Sequence, residues 1–160
     1  MATIQKGAKI NFFLQDSTKK IQVFTTRPET IFAVNFIVLA PEHTLVDQIT
    51  TDEQKLSVDS YVKKINLKSE RERQAEKRIS GVFTGAYAVH PFTNQKIAIW
   101  ISEYVLASYG TGAVMGVPCG DQRDWQFATH LGINIINIFR DIDIKAVSYT
   151  HLTLPTNREV

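Results

Sequence analysis

Several features that would mark common classes of protein are scarce in this sequence or missing from it. A single cysteine, Cys119, excludes an intrachain disulfide framework. No apolar run approaches the roughly 18 residues of a membrane-spanning helix and there is no signal-peptide core, so we expect a cytoplasmic protein without a membrane partner. The four histidines are scattered without ligand spacing, so we expect neither a metal nor another cofactor. Basic and acidic residues number 18 and 16, so any contact with RNA must be local.

The length, the hydrophobic content and the strand and helix patterns of the chain predict one folded domain. The chain has 160 residues, of which 44% are hydrophobic, enough for one core. Short β-prone runs at 9–14 and 21–25 predict a hairpin, 35–40 a buried strand, and 81–89 with 96–101 an antiparallel pair. Helical spacing begins at Asp52, and the charged stretch 68–78 reads as an exposed, salt-bridged helix. Strands outnumber helices, which favours a mixed α/β fold with a curled, barrel-like sheet and surrounding helices.

The stretch 109–128 contains the most informative pattern in the sequence. An apolar run from Ala113 to Val117 predicts a buried strand that leads through a loop into a helix ending near Gly132, followed by a last strand at 133–139. Asp121 is placed to cap that helix, and Asp124 falls at its third position, where the free amides favour an ionised carboxylate. The alternative is that both are ordinary first-turn acids. Cys119 beside these acids is not expected to be a nucleophile.

A second polar cluster lies at 25–30. Thr26 and Glu29 have capping-box spacing, and Pro28 suits a first helical turn, so a short helix is expected to begin here. The hydroxyls of this segment and the donor fork of Arg27 would then meet near the end of a strand. Simple capping is the alternative reading, and His43 is interpreted as structural.

Taken together, these stretches resemble the editing domain of leucyl-tRNA synthetase. The matching stretches are Thr-Thr-Arg-Pro-Glu-Thr at 25–30, Leu-Ala-Pro-Glu-His at 39–43, the run at 81–89, 99–106, Tyr-Gly-Thr-Gly-Ala-Val-Met-Gly-Val-Pro at 109–118 and Asp-Gln-Arg-Asp at 121–124. The resemblance spans about residues 7 to 139. The sister domains for valine and isoleucine share the threonine-rich loop and the Gly-Thr-Gly but not Val-Pro followed by Asp-x-Arg-Asp. No nucleotide-binding synthetase motif is seen.

The resemblance implies hydrolysis of the ester that joins a noncognate amino acid, of the norvaline, isoleucine and methionine class, to the 3′ end of leucine tRNA. Selection between amino acids that differ by a methylene gains only about 1–3 kcal/mol, so a second sieve must remove what a first site admits. The implied partners are that tRNA and the rest of a parent leucine–tRNA ligase, whose ATP-binding synthetic site lies outside this chain. The domain alone is expected to be a monomer. The alternatives are a weak or inactive module that binds the tRNA end, and an inert fragment.

The resemblance also implies a role for each matching residue. Asp124 would hold the substrate α-ammonium, and Thr25 and Thr26 would lie near the scissile carbonyl and terminal ribose, where they orient an attacking water. Thr30 would block leucine by its bulk. The remaining implied binding residues are Arg27 for the loop and terminal nucleotide, Met115 and Val117 for the side-chain pocket, Tyr109 beside the nucleotide, and Asp121.

Two positions depart from the family pattern, and one segment falls outside it. Gly120 stands where the family commonly has histidine, and Glu29 where aspartate is more usual. We assign 1–147 to the domain, and the comparison with the family pattern leads us to expect a truncated C-terminal end. Residues 148–160 lack a helical or strand period and resemble translated adaptor sequence, so we predict a non-native tail.

Overall fold

The hairpin predicted near the start of the chain is present in the computed structural model, which describes residues 6–76 and 78–136. The strands are β1 (Ala8–Leu14), β2 (Lys20–Thr25), β3 (Phe36–Leu39), β4 (Val82–Val89), β5 (Lys96–Ile101) and β6 (Ala113–Gly116). The helices are a 3₁₀ helix (Pro28–Ala33), α1 (Val46–Ile49), α2 (Lys55–Ile65), α3 (Glu70–Ala75) and α4 (Gln122–Leu131). Within these ranges, no helix is both long and apolar enough to cross a membrane.

The strands form one mixed sheet in the order β2-β1-β4-β5-β3-β6. The pairs β1–β2 and β4–β5 are antiparallel, as predicted, whereas β3 runs parallel to β5 and antiparallel to β6. The edge strands β2 and β6 approach each other, so the sheet curls, although no hydrogen-bonded ladder joins them in the described ranges. The mixed α/β prediction is confirmed.

Strand β3 shows why the sheet is covered on both faces. Successive side chains of a strand point to opposite faces, and Ile37 and Leu39 belong to the core cluster that also contains Met115. Phe36 and Val38 belong to a second cluster with residues of α4. All residues of β3 are therefore buried, which explains its continuous apolar sequence. Packing of α4 on this second face brings its first turn to the end of β6.

Close packing between β3 and β6 requires glycine at position 116. Gly116 pairs with Phe36 across the ladder, and a Cβ there would lie 2.2 Å from the Phe36 ring. The aromatic ring can therefore occupy the space that any other residue would fill. The Phe36 ring in turn lies 5.2 Å from the ring of Phe127, which links this strand pair to α4.

Three local predictions were wrong. Thr26 and Glu29 form no capping box: the helix cap is Arg27, and Glu29 pairs with the Arg27 side chain instead. Residues 133–136 form no strand. The side chain of Asn35 donates to the carbonyl of Asn134 and accepts from the amide of Ile136, and residues 137–139 lie outside the described ranges. The stretch 68–78 is not simply exposed, because α3 buries the side chain of Arg73.

Candidate functional site

One cleft of about 910 Å³ opens where β2, the 3₁₀ helix, β6 and the first turn of α4 meet. All the site residues predicted from the sequence line it: Thr25, Thr26, Arg27, Thr30, Tyr109, Met115, Val117, Asp121 and Asp124. They come from three separate parts of the chain, and the curl of the sheet brings these parts together. Their shared position does not by itself assign their roles.

Asp124 is the recessed carboxylate of this cleft. Its backbone N–H donates to the side chain of Asp121, 3.0 Å away, so Asp121 caps α4 as predicted. One carboxylate oxygen, Oδ2, accepts from the amide of Val117 at 2.9 Å, and Oδ1 accepts from the hydroxyl of Tyr104 at 3.2 Å. The residue is only 8% exposed. No Lys, Arg or His forms an ion pair with it in the part of the chain that the structure describes.

Burial decides the charge state of Asp124. Desolvation and the neighbouring charge of Asp121 raise the pKa of Asp124 to about 7, against the opposing hydrogen bonds from Val117 and Tyr104. The expectation that the first helical turn favours an ionised aspartate here was therefore wrong in direction. The helix terminus acts on this group, but removal from water outweighs it. Near neutral pH the carboxylate can be either charged or protonated, and a cation in the cleft would favour the charged form.

The segment before and within the 3₁₀ helix is held by its own hydroxyls. The Thr25 side chain accepts from the amide of Arg27 at 3.0 Å, and the Thr30 hydroxyl donates to the Arg27 carbonyl at 2.7 Å. The hydroxyl of Thr30 is therefore used within this segment, and the residue lines the cleft although it is buried. Thr26 is exposed. Arg27 pairs with Glu29 through Nε, while its buried Nη2 has no hydrogen-bond partner within the described residues.

The opposite wall is formed by β6 and the turn before it. Met115 and Val117 are buried and line the cleft. Tyr109 is 67% exposed at the start of a turn in which Gly110 and Gly112 have φ of 55° and 72°. Glycine adopts this left-handed backbone without steric cost, which lets the chain reverse into β6. His43, beside this turn, accepts from the Leu45 amide through Nδ1, in line with a structural role.

Comparison with known proteins relates this arrangement to one family. A family model described as leucyl-tRNA synthetase, editing domain, matches residues 3–157. The chain belongs to this family. A leucine–tRNA ligase from Christiangramia forsetii is 56% identical over 144 residues, covering 89% of this chain and 15% of that protein. One from Flavobacterium psychrophilum is 59% identical over 135 residues, covering 81% of this chain and 14% of the relative.

A solved structure agrees with this assignment. A LeuRS from Agrobacterium radiobacter K84 (agnB2), crystallised as a ternary complex with tRNA and LeuAMS, matches with a TM-score of 0.73 and 36% identity. The match covers 86% of this chain and 16% of that one. This editing domain therefore spans about one-sixth of the length of the synthetases that it matches.

Sequence reasoning missed several residues of the editing domain's cleft. Tyr104 bonds directly to Asp124, and Arg123 lies over the Tyr104 ring at 5.6 Å. Other lining residues that were not predicted are Arg73, Arg78, Glu103 and Gln126. Tyr104 lies in the stretch 99–106, which had been matched to the family only as a whole. A tyrosine or arginine in a loop has no spacing that reveals its partner, so no sequence signal identified them.

The family departure at Gly120 lies on the cleft wall. A Cβ at this position would have its nearest neighbour 4.0 Å away in Val117, so there is room for a side chain. Within residues 6–76 and 78–136, no group of three or more His, Cys, Asp and Glu side chains is arranged to hold a metal ion.

Proposed function

We propose that this editing domain hydrolyses the ester between a noncognate amino acid and the 3′ end of leucine tRNA, with water as the nucleophile. The observation that carries the proposal is Asp124, a residue only 8% exposed in the wall of a cleft, whose carboxylate has fixed donors but no ion pair with a Lys, Arg or His among the described residues. An α-ammonium is the cation that an aminoacyl ester offers. Family membership supports the same reading.

Binding of the ammonium would fix the substrate through the positive charge that every aminoacyl ester carries. A hydrogen bond between an ammonium and a carboxylate is charge-assisted and contributes about 1.5–3 kcal/mol. Binding of the ammonium would also lower the pKa of Asp124 and favour its charged form, because a nearby positive charge lowers a carboxylate's pKa. Asp124 is therefore proposed as an anchor rather than a general base.

The threonines would act at the other end of the substrate. Thr25 and Thr26 precede the 3₁₀ helix and line the same cleft, where their hydroxyls can orient a water molecule and stabilise developing charge on the carbonyl oxygen. The Thr25 oxygen already accepts from the Arg27 amide, so its position is fixed before a substrate binds. Arg27, which lines the same cleft, would contact the terminal nucleotide.

Selection between amino acids would depend on the space that the cleft leaves for their side chains. Thr30, Met115 and Val117 are buried residues that bring apolar groups to the cleft. The proposed substrates carry norvaline, isoleucine or methionine, and leucine would be excluded by contact of its branch with Thr30. Exclusion by bulk is the discrimination available between side chains of nearly equal polarity.

The decisive experiment is deacylation in trans. The domain would be incubated with leucine tRNA carrying norvaline, isoleucine, methionine or leucine, with Asp124→Ala as a control whose fold is checked by circular dichroism. We expect turnover of the noncognate esters by the parent, little of leucyl-tRNA, and little of any ester by the variant. Saturable binding of the tRNA without turnover would instead support a binding module. Absence of both would contradict each reading and leave an inert fragment.

A further inference from the structure

The side chain of Tyr104 donates a hydrogen bond to the Asp124 carboxylate. Its hydroxyl lies 3.2 Å from Oδ1, while the backbone amide of Val117 lies 2.9 Å from Oδ2. Each oxygen of the carboxylate therefore has one fixed donor. A carboxylate offers about four acceptor sites, two on each oxygen, so these two donors do not use its full capacity to accept.

The tyrosine ring is itself held on several sides. The Phe127 ring of α4 meets it edge to face at 5.5 Å, and the Arg123 guanidinium lies over it. The chain on either side of Tyr104 is tied to α3, because Arg73 donates to the carbonyls of Glu103 at 3.0 Å and Val105 at 2.8 Å. The hydroxyl is thus presented to Asp124 from a fixed backbone and a fixed ring.

The hydroxyl is also in the correct protonation state to donate. Burial and the neighbouring Asp124 carboxylate raise the pKa of Tyr104 well above its usual value, so the group keeps its proton at working pH. A donor to a carboxylate stabilises its charged form. This opposes the burial that otherwise favours protonated Asp124.

From this geometry we infer that Tyr104 is a positioning residue of the editing reaction, which orients the Asp124 carboxylate and keeps it charged for the substrate ammonium. The inference rests on the proposed function, and it adds a residue to which the sequence analysis assigned no role. Tyr104 acts through Asp124. Loss of its hydroxyl is therefore expected to change the pH range over which the Asp124 carboxylate is charged more than it changes the shape of the pocket.

The other charged groups near Asp124 are few. Asp121, on the same helix, opposes its ionisation, and Arg123 favours it. The other charged residues that line the cleft are Arg27, Arg73, Glu76, Arg78 and Glu103. Replacement of Tyr104 by phenylalanine leaves all of these charges in place and preserves the ring. It therefore isolates the hydroxyl.

The test compares the parent domain with Tyr104→Phe and with Tyr87→Phe as a matched control. Tyr87 lies in β4, packs against Phe83 and does not line the cleft, so its hydroxyl has no access to Asp124. Titration of the Asp124 carboxyl carbon is followed by NMR, and deacylation of isoleucyl-tRNA is measured from pH 5.5 to 9. Tyr104→Phe is expected to move the Asp124 midpoint upward by about half a pH unit or more. Its kcat/KM should fall severalfold at acidic pH and recover toward the parent value at alkaline pH.

The control is expected to reproduce the parent in both measurements. An Asp124 midpoint that is unchanged in Tyr104→Phe would overturn the inference. So would an equal loss of activity at every pH together with a lower Tm, which indicates a merely structural role. If the parent turns over no ester but the Asp124 midpoint still moves in Tyr104→Phe, the positioning contact stands and the proposed function fails.

Discussion

Asp124 combines burial with a proposed role that requires its charge. Its backbone begins α4, its carboxylate is fixed by Val117 and Tyr104, and its pKa is raised to about 7 chiefly by desolvation. A group held in this way is poorly stabilised as an anion until a cation arrives. The binding of an ammonium would therefore relieve an unfavourable state of the empty cleft, and the domain gives up some stability to keep that state available.

This cost predicts how stability changes with pH. Because the folded state raises the pKa of Asp124 from 3.8 to about 7, it holds this proton more tightly than the unfolded chain does. Protonation of Asp124 therefore contributes up to a few kcal/mol to the free energy of unfolding. This contribution is complete below about pH 4 and is lost as pH rises through about 7. Asp124→Asn should therefore be more stable than the parent at pH 8, with a gap that shrinks toward pH 4, while deacylation is lost.

Urea unfolding at pH 4.5, 6 and 8 measures this gap. Asp59→Asn is the control, because Asp59 is an exposed residue on α2 that pairs with Lys55. It should show no stabilisation that grows with pH. A parent as stable as Asp124→Asn at pH 8 would mean that burial does not control this carboxylate.

Thr30 carries the second prediction about a single residue. Its hydroxyl donates to the Arg27 carbonyl, so in the proposed function its methyl group would make the contact that excludes leucine. Thr30→Ala should cost about 1 kcal/mol of stability and raise deacylation of leucyl-tRNA relative to isoleucyl-tRNA by about tenfold or more. Thr50→Ala is matched to it, because Thr50 makes a similar local bond to the Val46 carbonyl outside the cleft. The same leucyl-to-isoleucyl ratio in both variants would leave Thr30 with a structural role only.

Among the elements, those with a clear hydrophobic period could be predicted from the sequence, and those held by polar side chains could not. The pairs β1–β2 and β4–β5, strand β3 and helix α4 all follow from alternation, apolar runs and the Asp121 cap. The parallel pairing of β3 with β5 has no local signal, because it joins strands far apart in sequence. The positions of the cleft residues were predictable because a family motif links them.

Helix α3 is the clearest case of a pattern that misled. Its sequence, Glu-Arg-Glu-Arg-Gln-Ala, has the composition of an exposed helix, and its capping box at Ser69 and Glu72 is on the surface. Yet Arg73 is 4% exposed and bonds to Glu42 and to the carbonyls of Glu103 and Val105. Alternating charges do not reveal which one is buried, because the partners are backbone groups of a distant segment.

Replacement of two neighbouring arginines of α3 by alanine should therefore have very different effects on stability. Arg73→Ala leaves buried carbonyls without donors and removes the partner of Glu42, so it should cost about 3 kcal/mol or more. Arg71 is exposed on the same helix, and Arg71→Ala should change stability by no more than about 0.5 kcal/mol. Urea unfolding of the two variants makes the comparison, and similar losses would show that Arg73 is not the link between α3 and the segment of Tyr104.

The domain as a whole is a small part of the proteins that it resembles, and it nevertheless has its own core and cleft. Two clusters of buried residues cover both faces of the sheet, and the cleft is lined by residues from β2 to α4. These features are what a domain needs to fold as a unit, since that requires a continuous apolar core rather than a particular length of parent chain. The C-terminal boundary of this domain is predicted to lie before residue 148.

Deletion of residues 148–160 tests this boundary. The segment lies outside the described residues; its sequence has no helical or strand period and predicts a non-native tail, whereas the family match extends to residue 157. If the tail contributes nothing to the core, its deletion should change Tm by no more than about 2 °C and leave deacylation intact. Replacement of the same residues by a glycine–serine segment of equal length controls for chain length. A fall of about 10 °C in both variants corresponds to a few kcal/mol and would place the segment in the folded domain, because only buried contacts can supply that much.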